Sequence, residues 1–103
     1  MDGLELTCFQ IISAVGTARS YYIEAIQEAK CGNFTKANEL KNEGQEMFNE
    51  GHRIHAELIK REANGEKTEF ALILLHAEDL LLSAEAFGIL ADEFIDLYKM
   101  IIK

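Results

Sequence analysis

Residues 72–83 read Leu-Ile-Leu-Leu-His-Ala-Glu-Asp-Leu-Leu-Leu-Ser, an apolar run interrupted by one histidine and two acidic residues. The run contains neither proline nor glycine, which favours an uninterrupted helix. We expect so dense an apolar segment to be buried, and burying an imidazole or a carboxylate without partners costs roughly 2–7 kcal/mol or more. His76 and Asp79, one helical turn apart, therefore need partners or a function.

The composition fits one small helical domain. The chain has 103 residues, no proline, 49% hydrophobic residues and a formal net charge of -8. A domain of this size buries only about 60–70% of its unfolded surface, so oligomerisation is favoured. The chain lacks the Lys/Arg cluster of a nucleic-acid-binding protein. Its negative net charge favours a basic protein partner.

The sequence is also typical of a cytoplasmic protein. Its start carries Asp2 and Glu5 in place of the positive segment of a signal peptide. No window approaches the ~18 consecutive apolar residues of a membrane span. Cys8 and Cys31 lie about six turns apart on one predicted helix, so we expect two reduced thiols.

Apolar residues at helical spacing predict three helices, over residues 4–30, 34–63 and 68–101, with Thr68 as the last N-cap. Short loops imply that consecutive helices run antiparallel, and sustained 4-3 spacing suits left-handed, coiled-coil-like packing. The prediction is therefore an all-α protein, an antiparallel three-helix bundle that forms a single domain over residues 1–103.

Four residues predict how the first two helices end and pack. Gly32 suits a left-handed C-terminal cap, and Asn33 suits the N-cap of the second helix. Gly44 and Gly51 lie inside the second helix, where each costs up to ~1 kcal/mol relative to alanine. Close approach of another helix at both glycines is the expected compensation.

The third helix carries two apolar stripes. The first contains Phe70, Leu74, Ala77, Leu81, Ala84, Gly88, Ala91, Ile95 and Tyr98. The second contains Ile73, Leu80, Phe87, Leu90, Phe94, Leu97 and Ile101, with His76 along it. A three-helix monomer covers one broad face of each helix, so the second stripe predicts packing against something outside the monomer.

His76 has two interpretations from its pattern. A neutral imidazole is a nucleophile near neutral pH and can accept a phosphoryl group. The same pattern fits a core histidine that is hydrogen-bonded to a carbonyl or carboxylate.

Asp79 and a histidine pair are the other candidate ligands. Asp79 could orient His76, could meet its symmetry mates around a hard cation such as Mg²⁺, or could be a solvated carboxylate. His52 and His55, spaced i, i+3, could be a metal pair, but without a His-Glu-x-x-His motif a solvated or capping role is favoured.

The chain resembles a known family along nearly its whole length. The resemblance is carried by Gly16-Thr17-Ala18-Arg19-Ser20, Gly32-Asn33-Phe34, His52-x-Ile54-His55, Glu62-Ala63-Asn64-Gly65-Glu66, His76-Ala77-Glu78-Asp79 and Leu97-Tyr98-Lys99. In order and spacing these segments are similar to the enzyme IIA component of the lactose/cellobiose class of the bacterial sugar phosphotransferase system.

The resemblance implies a function and an assembly. It implies a homotrimer of three-helix subunits, in which His76 carries a phosphoryl group between HPr and a cysteine of enzyme IIB. The system would take up a β-linked disaccharide such as cellobiose or lactose. Asp79 matches the family position that binds a metal ion, expected to be Mg²⁺, at the trimer axis.

The chain departs from the family pattern at three positions. Glu78 and Leu80 stand where the family motif usually has glutamine and a second histidine, and His55 stands where glutamine is common. The competing interpretation is a non-catalytic helical oligomerisation or regulatory interaction module that binds a partner through the third helix.

Overall fold

The computed structural model describes residues 3–102, so Asp2 and the two end residues of the predicted domain lie outside the described part. The described residues form three α-helices and no strand: α1 (Gly3–Lys30), α2 (Phe34–Ala63) and α3 (Leu72–Ile101). The all-helical class and the three-helix architecture are confirmed. The molecule is an elongated rod of 55 × 24 × 19 Å.

The turn between α1 and α2 has the left-handed glycine cap that the sequence predicted. Gly32 has φ 81°, and its N–H and that of Asn33 donate to the carbonyls of Ala29 and Glu28. These two bonds satisfy the last carbonyls of α1 in a Schellman motif. Asn33 occupies the N-cap position of α2 but its side chain caps nothing; its amide donates to the Glu28 carboxylate at 2.8 Å instead.

The predicted start of α3 at Thr68 is wrong. A second Schellman motif ends α2 at Gly65, which has φ 92°, and the chain stays non-helical up to Ala71. Ala71 is extended and provides no side-chain cap. Phe70, predicted to join the core stripe, is 81% exposed. The polar residues from Glu66 to Glu69 have no apolar face to bury, so packing does not extend the helix through them.

Interhelical neighbours fix the directions of the three helices. A Cβ added at Gly51 would meet Val15, and one added at Gly16 would meet Leu80. Further pairs between the helices follow the same order. As residue numbers rise along α1, those of its neighbours fall along α2 and rise along α3, so α1 is antiparallel to α2 and parallel to α3. The further pairs are Tyr22 with Gly44, Arg19 with Ser83, Lys41 with Asp92, and His55 with Glu78.

Tyr22 fills the middle of the bundle. Its ring is 2% exposed, and it lies between Gly44 on α2 and Gly88 on α3, where an added Cβ would come within 2.8 and 3.0 Å of it respectively. Burial and the nearby Asp92 carboxylate raise the pKa of the Tyr22 phenol. The close approach predicted at Gly44 is thus confirmed, and Gly51 approaches α1 in the same way.

The faces of α3 differ from the two predicted stripes. The core face agrees with the first stripe at Ala77, Leu81, Ala84, Ala91 and Ile95, all of which are buried. The second stripe is divided: Ile73, Leu80 and Phe87 pack against the core, whereas Leu90, Phe94, Leu97 and Ile101 are exposed.

A further face of α3 was not predicted. It is an exposed row, here called the outer stripe, whose members follow one another at intervals of three and four residues. The outer stripe consists of Leu72, Leu75, Asp79, Leu82, Ala86, Ile89, Glu93, Asp96 and Met100.

Candidate functional site

His76 is exposed on the second turn of α3. Within residues 3–102 no hydrogen bond, ion pair or ring contact engages its imidazole. The expectation that the whole apolar run is buried is therefore wrong. The neighbouring Ala77 is buried and the polar residue is not, because the core covers only one side of the helix. An exposed imidazole without a partner has a free ring nitrogen that can act as a nucleophile.

The other two histidines are engaged elsewhere. His55 Nε2 lies 2.9 Å from Glu78 Oε2, and the His52 ring stacks on Phe48 with centroids 6.0 Å apart. Their side chains therefore make separate contacts, which argues against the metal pair that their spacing allows. His52 and His76 are both exposed, and among the three histidines His76 is the one whose imidazole makes none of these contacts within residues 3–102.

Asp79 lies three residues after His76 and is also exposed, on the outer stripe. In the described part of the chain, no group of three or more His, Cys, Asp or Glu side chains could hold a metal ion. One chain therefore does not supply a cation site at Asp79. Further ligands for a cation there would have to come from other copies of the chain or from water.

The sequence alone did not identify the contact between Glu78 and His55. Glu78 lies in the same segment as His76 but about 200° around the helix from it, so the two side chains project from opposite sides. Glu78 faces α2, where the His55 side chain is 17% exposed. The pair is separated by 23 residues in sequence, and only the register between α2 and α3 brings it together.

Arg19 is a second contact that sequence reasoning did not single out. Its Nη1 donates to Ser83 Oγ at 3.3 Å, and its guanidinium lies 5.9 Å from the centre of the Phe87 ring. No carboxylate within residues 3–102 forms an ion pair with it. Ser83 is seven residues after His76, which places it on nearly the same side of α3. Arg19 thus adds positive charge to the His76 side of the helix.

None of the three helices, over the described residues, is long and apolar enough to cross a membrane.

Comparison with known proteins gives the same family from sequence and from structure. Residues 6–99 match the family described as "PTS system, Lactose/Cellobiose specific IIA subunit". The lichenan-specific phosphotransferase enzyme IIA component of Bacillus subtilis is 40% identical over 100 residues, 97% of this chain and 91% of that protein.

Two solved structures are similar over nearly the whole chain. The PTS cellobiose-specific enzyme IIA from Bacillus anthracis has a TM-score of 0.95 and 46% identity, covering 98% of this chain and 93% of that one. IIA(Chitobiose), solved in complex with HPr from the Escherichia coli system, has a TM-score of 0.85 and 28% identity, covering both chains fully. The chain therefore belongs to the lactose/cellobiose-specific IIA family of the phosphotransferase system, and it is a phosphotransferase component of that system.

Proposed function

We propose that this chain carries a phosphoryl group on His76, accepting it from phosphorylated HPr and passing it to a cysteine of enzyme IIB. The observation that carries the proposal is the exposed, unpartnered imidazole of His76 on a helix otherwise fixed by its core. A carrier must be reached by two different proteins in turn, and an exposed ring on a rigid helix meets that need.

The two transfers balance without any further reactant. A neutral ring nitrogen of His76 attacks phosphorus in line, a new N–P bond forms, and the donor's N–P bond breaks with its electron pair returning to the donor imidazole. In the second step a cysteine thiolate attacks the phosphoryl group, an S–P bond forms, and the N–P bond to His76 breaks. Positioning and electrostatics supply most of the catalysis in such transfers.

HPr as donor is supported by a relative and by charge. IIA(Chitobiose), similar over its full length, has been solved in complex with HPr. The present chain carries a net charge of -8, which favours a basic docking surface on its partner. Arg19, bonded to Ser83 about 10 Å along α3 from His76, adds positive charge on that side of the helix.

The sugar is proposed as a β-linked disaccharide such as cellobiose or lactose. The names of similar proteins specify cellobiose, lactose, lichenan and oligo-beta-mannoside. The IIA chain would contact proteins and not sugar, so the membrane permease would select among these substrates. The protein would act in the cytoplasm, where HPr and enzyme IIB meet it.

The proposed assembly is a homotrimer around the outer stripe. Leu75, Leu82 and Ile89 are 46%, 66% and 60% exposed in the single chain and recur every seven residues, the interval of a left-handed coiled coil. Three Asp79 carboxylates would then meet near the axis and repel one another. We propose that a hard divalent cation, Mg²⁺ with water ligands, binds there and relieves the repulsion.

The test is a phosphorylation assay with phosphoenolpyruvate, enzyme I and HPr, read by intact mass and by mapping of the label. We expect one phosphoryl group per chain on His76, none on His76→Ala, and full incorporation on the control variant His52→Ala. Addition of the cognate enzyme IIB should remove the label. Unmodified wild-type protein, or a label on His52 or His55, would contradict the proposal and favour a regulatory module.

A further inference from the structure

Two polar bridges join α2 to α3 in the described part of the chain. Lys41 Nζ lies 2.9 Å from Asp92 Oδ1, and His55 Nε2 lies 2.9 Å from Glu78 Oε2. At 1.5 Å per residue, Glu78 and Asp92 are about 21 Å apart along α3, whereas Glu78 and His76 are only about 3 Å apart. The His55–Glu78 bridge is therefore the one at the level of His76.

The start of α3 packs on the core through Ile73, Leu74 and Ala77, but few polar contacts hold it. The six residues before it are non-helical, and Ala71 at the N-cap position provides no side-chain cap. Leu72 is 79% exposed, so the first turn buries little on its outer side. Over residues 66–102, the bond to His55 is the first side-chain bond between α3 and α2.

The His55–Glu78 bridge is better shielded from water than its counterpart. The His55 side chain is 17% exposed and that of Glu78 is 40% exposed, against 28% and 56% for Lys41 and Asp92. Shielded bonds to charged groups hold their geometry better than exposed ion pairs, which water and salt weaken. His55 also lies inside α2, about two turns before its end, and so gives Glu78 an anchor on a regular helix.

The positions of Glu78 and His76 around α3 connect the bridge to the site. Because the two residues project from opposite sides of the helix, tethering Glu78 to α2 adds a polar restraint to the core packing of Ala77 and Leu81, which together set the rotation of α3 about its own axis. That rotation determines the direction in which the His76 ring points. Small errors in the direction of a nucleophile slow an in-line transfer more than they weaken docking of the partner.

We infer that His55 and Glu78 are a positioning pair for phosphoryl transfer, which fixes the turn of α3 that presents His76. This inference rests on the proposed function. Neither residue needs to touch the phosphoryl group. The bond requires a donor on α2 and an acceptor on α3, so a neutral pair of glutamines can replace it in the same place.

The experiment compares variants that break or restore the bridge at matched protein concentration. Glu78→Ala and His55→Ala remove it, and the double variant His55→Gln/Glu78→Gln restores an uncharged bond. Lys41→Ala is the matched control, because it breaks the other bridge between the same helices. Initial rates of transfer from phospho-HPr, measured over a range of donor concentrations, give kcat and KM for each variant.

We expect Glu78→Ala to lower kcat by roughly 10–100-fold while KM changes little. The double glutamine variant should recover most of kcat, and Lys41→Ala should keep it. Hydrogen exchange adds a reading that does not need activity: amides of residues 72–79 should exchange faster in Glu78→Ala than in Lys41→Ala.

The outcomes separate this inference from the proposed function. Wild-type protein that takes no phosphoryl group on His76 contradicts the proposed function. An active wild type whose kcat is unchanged in Glu78→Ala, or falls equally in Lys41→Ala, overturns the positioning role alone. Failure of the double glutamine variant to recover kcat, despite normal helicity and exchange, also overturns it.

Discussion

Replacing Gly51 with alanine tests the closest helix contact in the structure. An added Cβ would lie 2.5 Å from Val15 Cγ1 and 3.5 Å from Ala14 Cβ. The first distance is far inside van der Waals contact. Val15 is fully buried, and valine in a helix has one strongly preferred χ1 rotamer, so its side chain cannot turn away at low cost. Relief would require α1 and α2 to move apart.

The magnitude follows from a comparison with Gly16→Ala. At Gly16 the nearest atom to an added Cβ is Leu80 Cδ2 at 3.8 Å, an ordinary contact. Both substitutions gain about 1 kcal/mol of helix propensity. Overpacking a filled core costs about 1–3 kcal/mol, and only Gly51→Ala incurs it. The two variants should therefore differ in free energy of unfolding by about 1–3 kcal/mol, with Gly16→Ala the more stable.

The assay is thermal and urea unfolding of both variants at the same protein concentration, because association shifts apparent stability. In a domain near this size each kcal/mol moves Tm by roughly 4–8 °C. Gly51→Ala should melt below Gly16→Ala by at least several degrees. Equal or higher stability of Gly51→Ala would refute the close approach of α1 and α2 at this position.

The remaining predictions concern the site and the assembly. His76→Ala should abolish phosphoryl acceptance without changing helicity or mass in solution, and circular dichroism with light scattering checks the two controls. Leu82→Asp should weaken the trimer by burying an unpaired charge, whereas Ile59→Asp, equally apolar and 53% exposed on α2, should not; sedimentation that shows a wild-type monomer at micromolar concentration contradicts the assembly. Asp79→Leu should eliminate bound divalent ion yet still assemble, since apolar contact replaces repelling carboxylates. A chelator should lower the Tm of the wild type and leave that of Asp79→Leu unchanged. A wild type that binds no divalent ion and whose Tm does not change with chelator would contradict the cation proposal.

The helices were largely predictable because their ends have strong local signals. Gly32 supplies a conformation that other residues avoid, and the stripes of α1 and α2 run close to their observed ends. The start of α3 was not predictable in this way. Thr68 offers a capping side chain, but a cap has no effect where the following turn has nothing to bury.

The sequence proposes candidate residues for the site but did not predict their surroundings. His76 and Asp79 stand out from an apolar run, but that run suggested burial, whereas the structure exposes both. Periodicity reports which residues share a face and does not report which face another helix covers. The contacts of Glu78 with His55 and of Arg19 with Ser83 depend on the register between helices, which no local pattern encodes.

The placement of His76 relative to the outer stripe makes the proposed carrier role compatible with the proposed trimer. Asp79 is about 60° from His76 around α3 and Leu75 is about 100° from it, whereas the buried Ala77 is about 100° away in the other direction. His76 therefore lies at the border between the outer stripe and the side that faces α1. In the proposed trimer the outer stripe is covered, while this border forms the rim of the interface. A histidine at the rim gains the rigidity of a packed helix and stays within reach of two successive partners, which a histidine at the axis or in the core could not do.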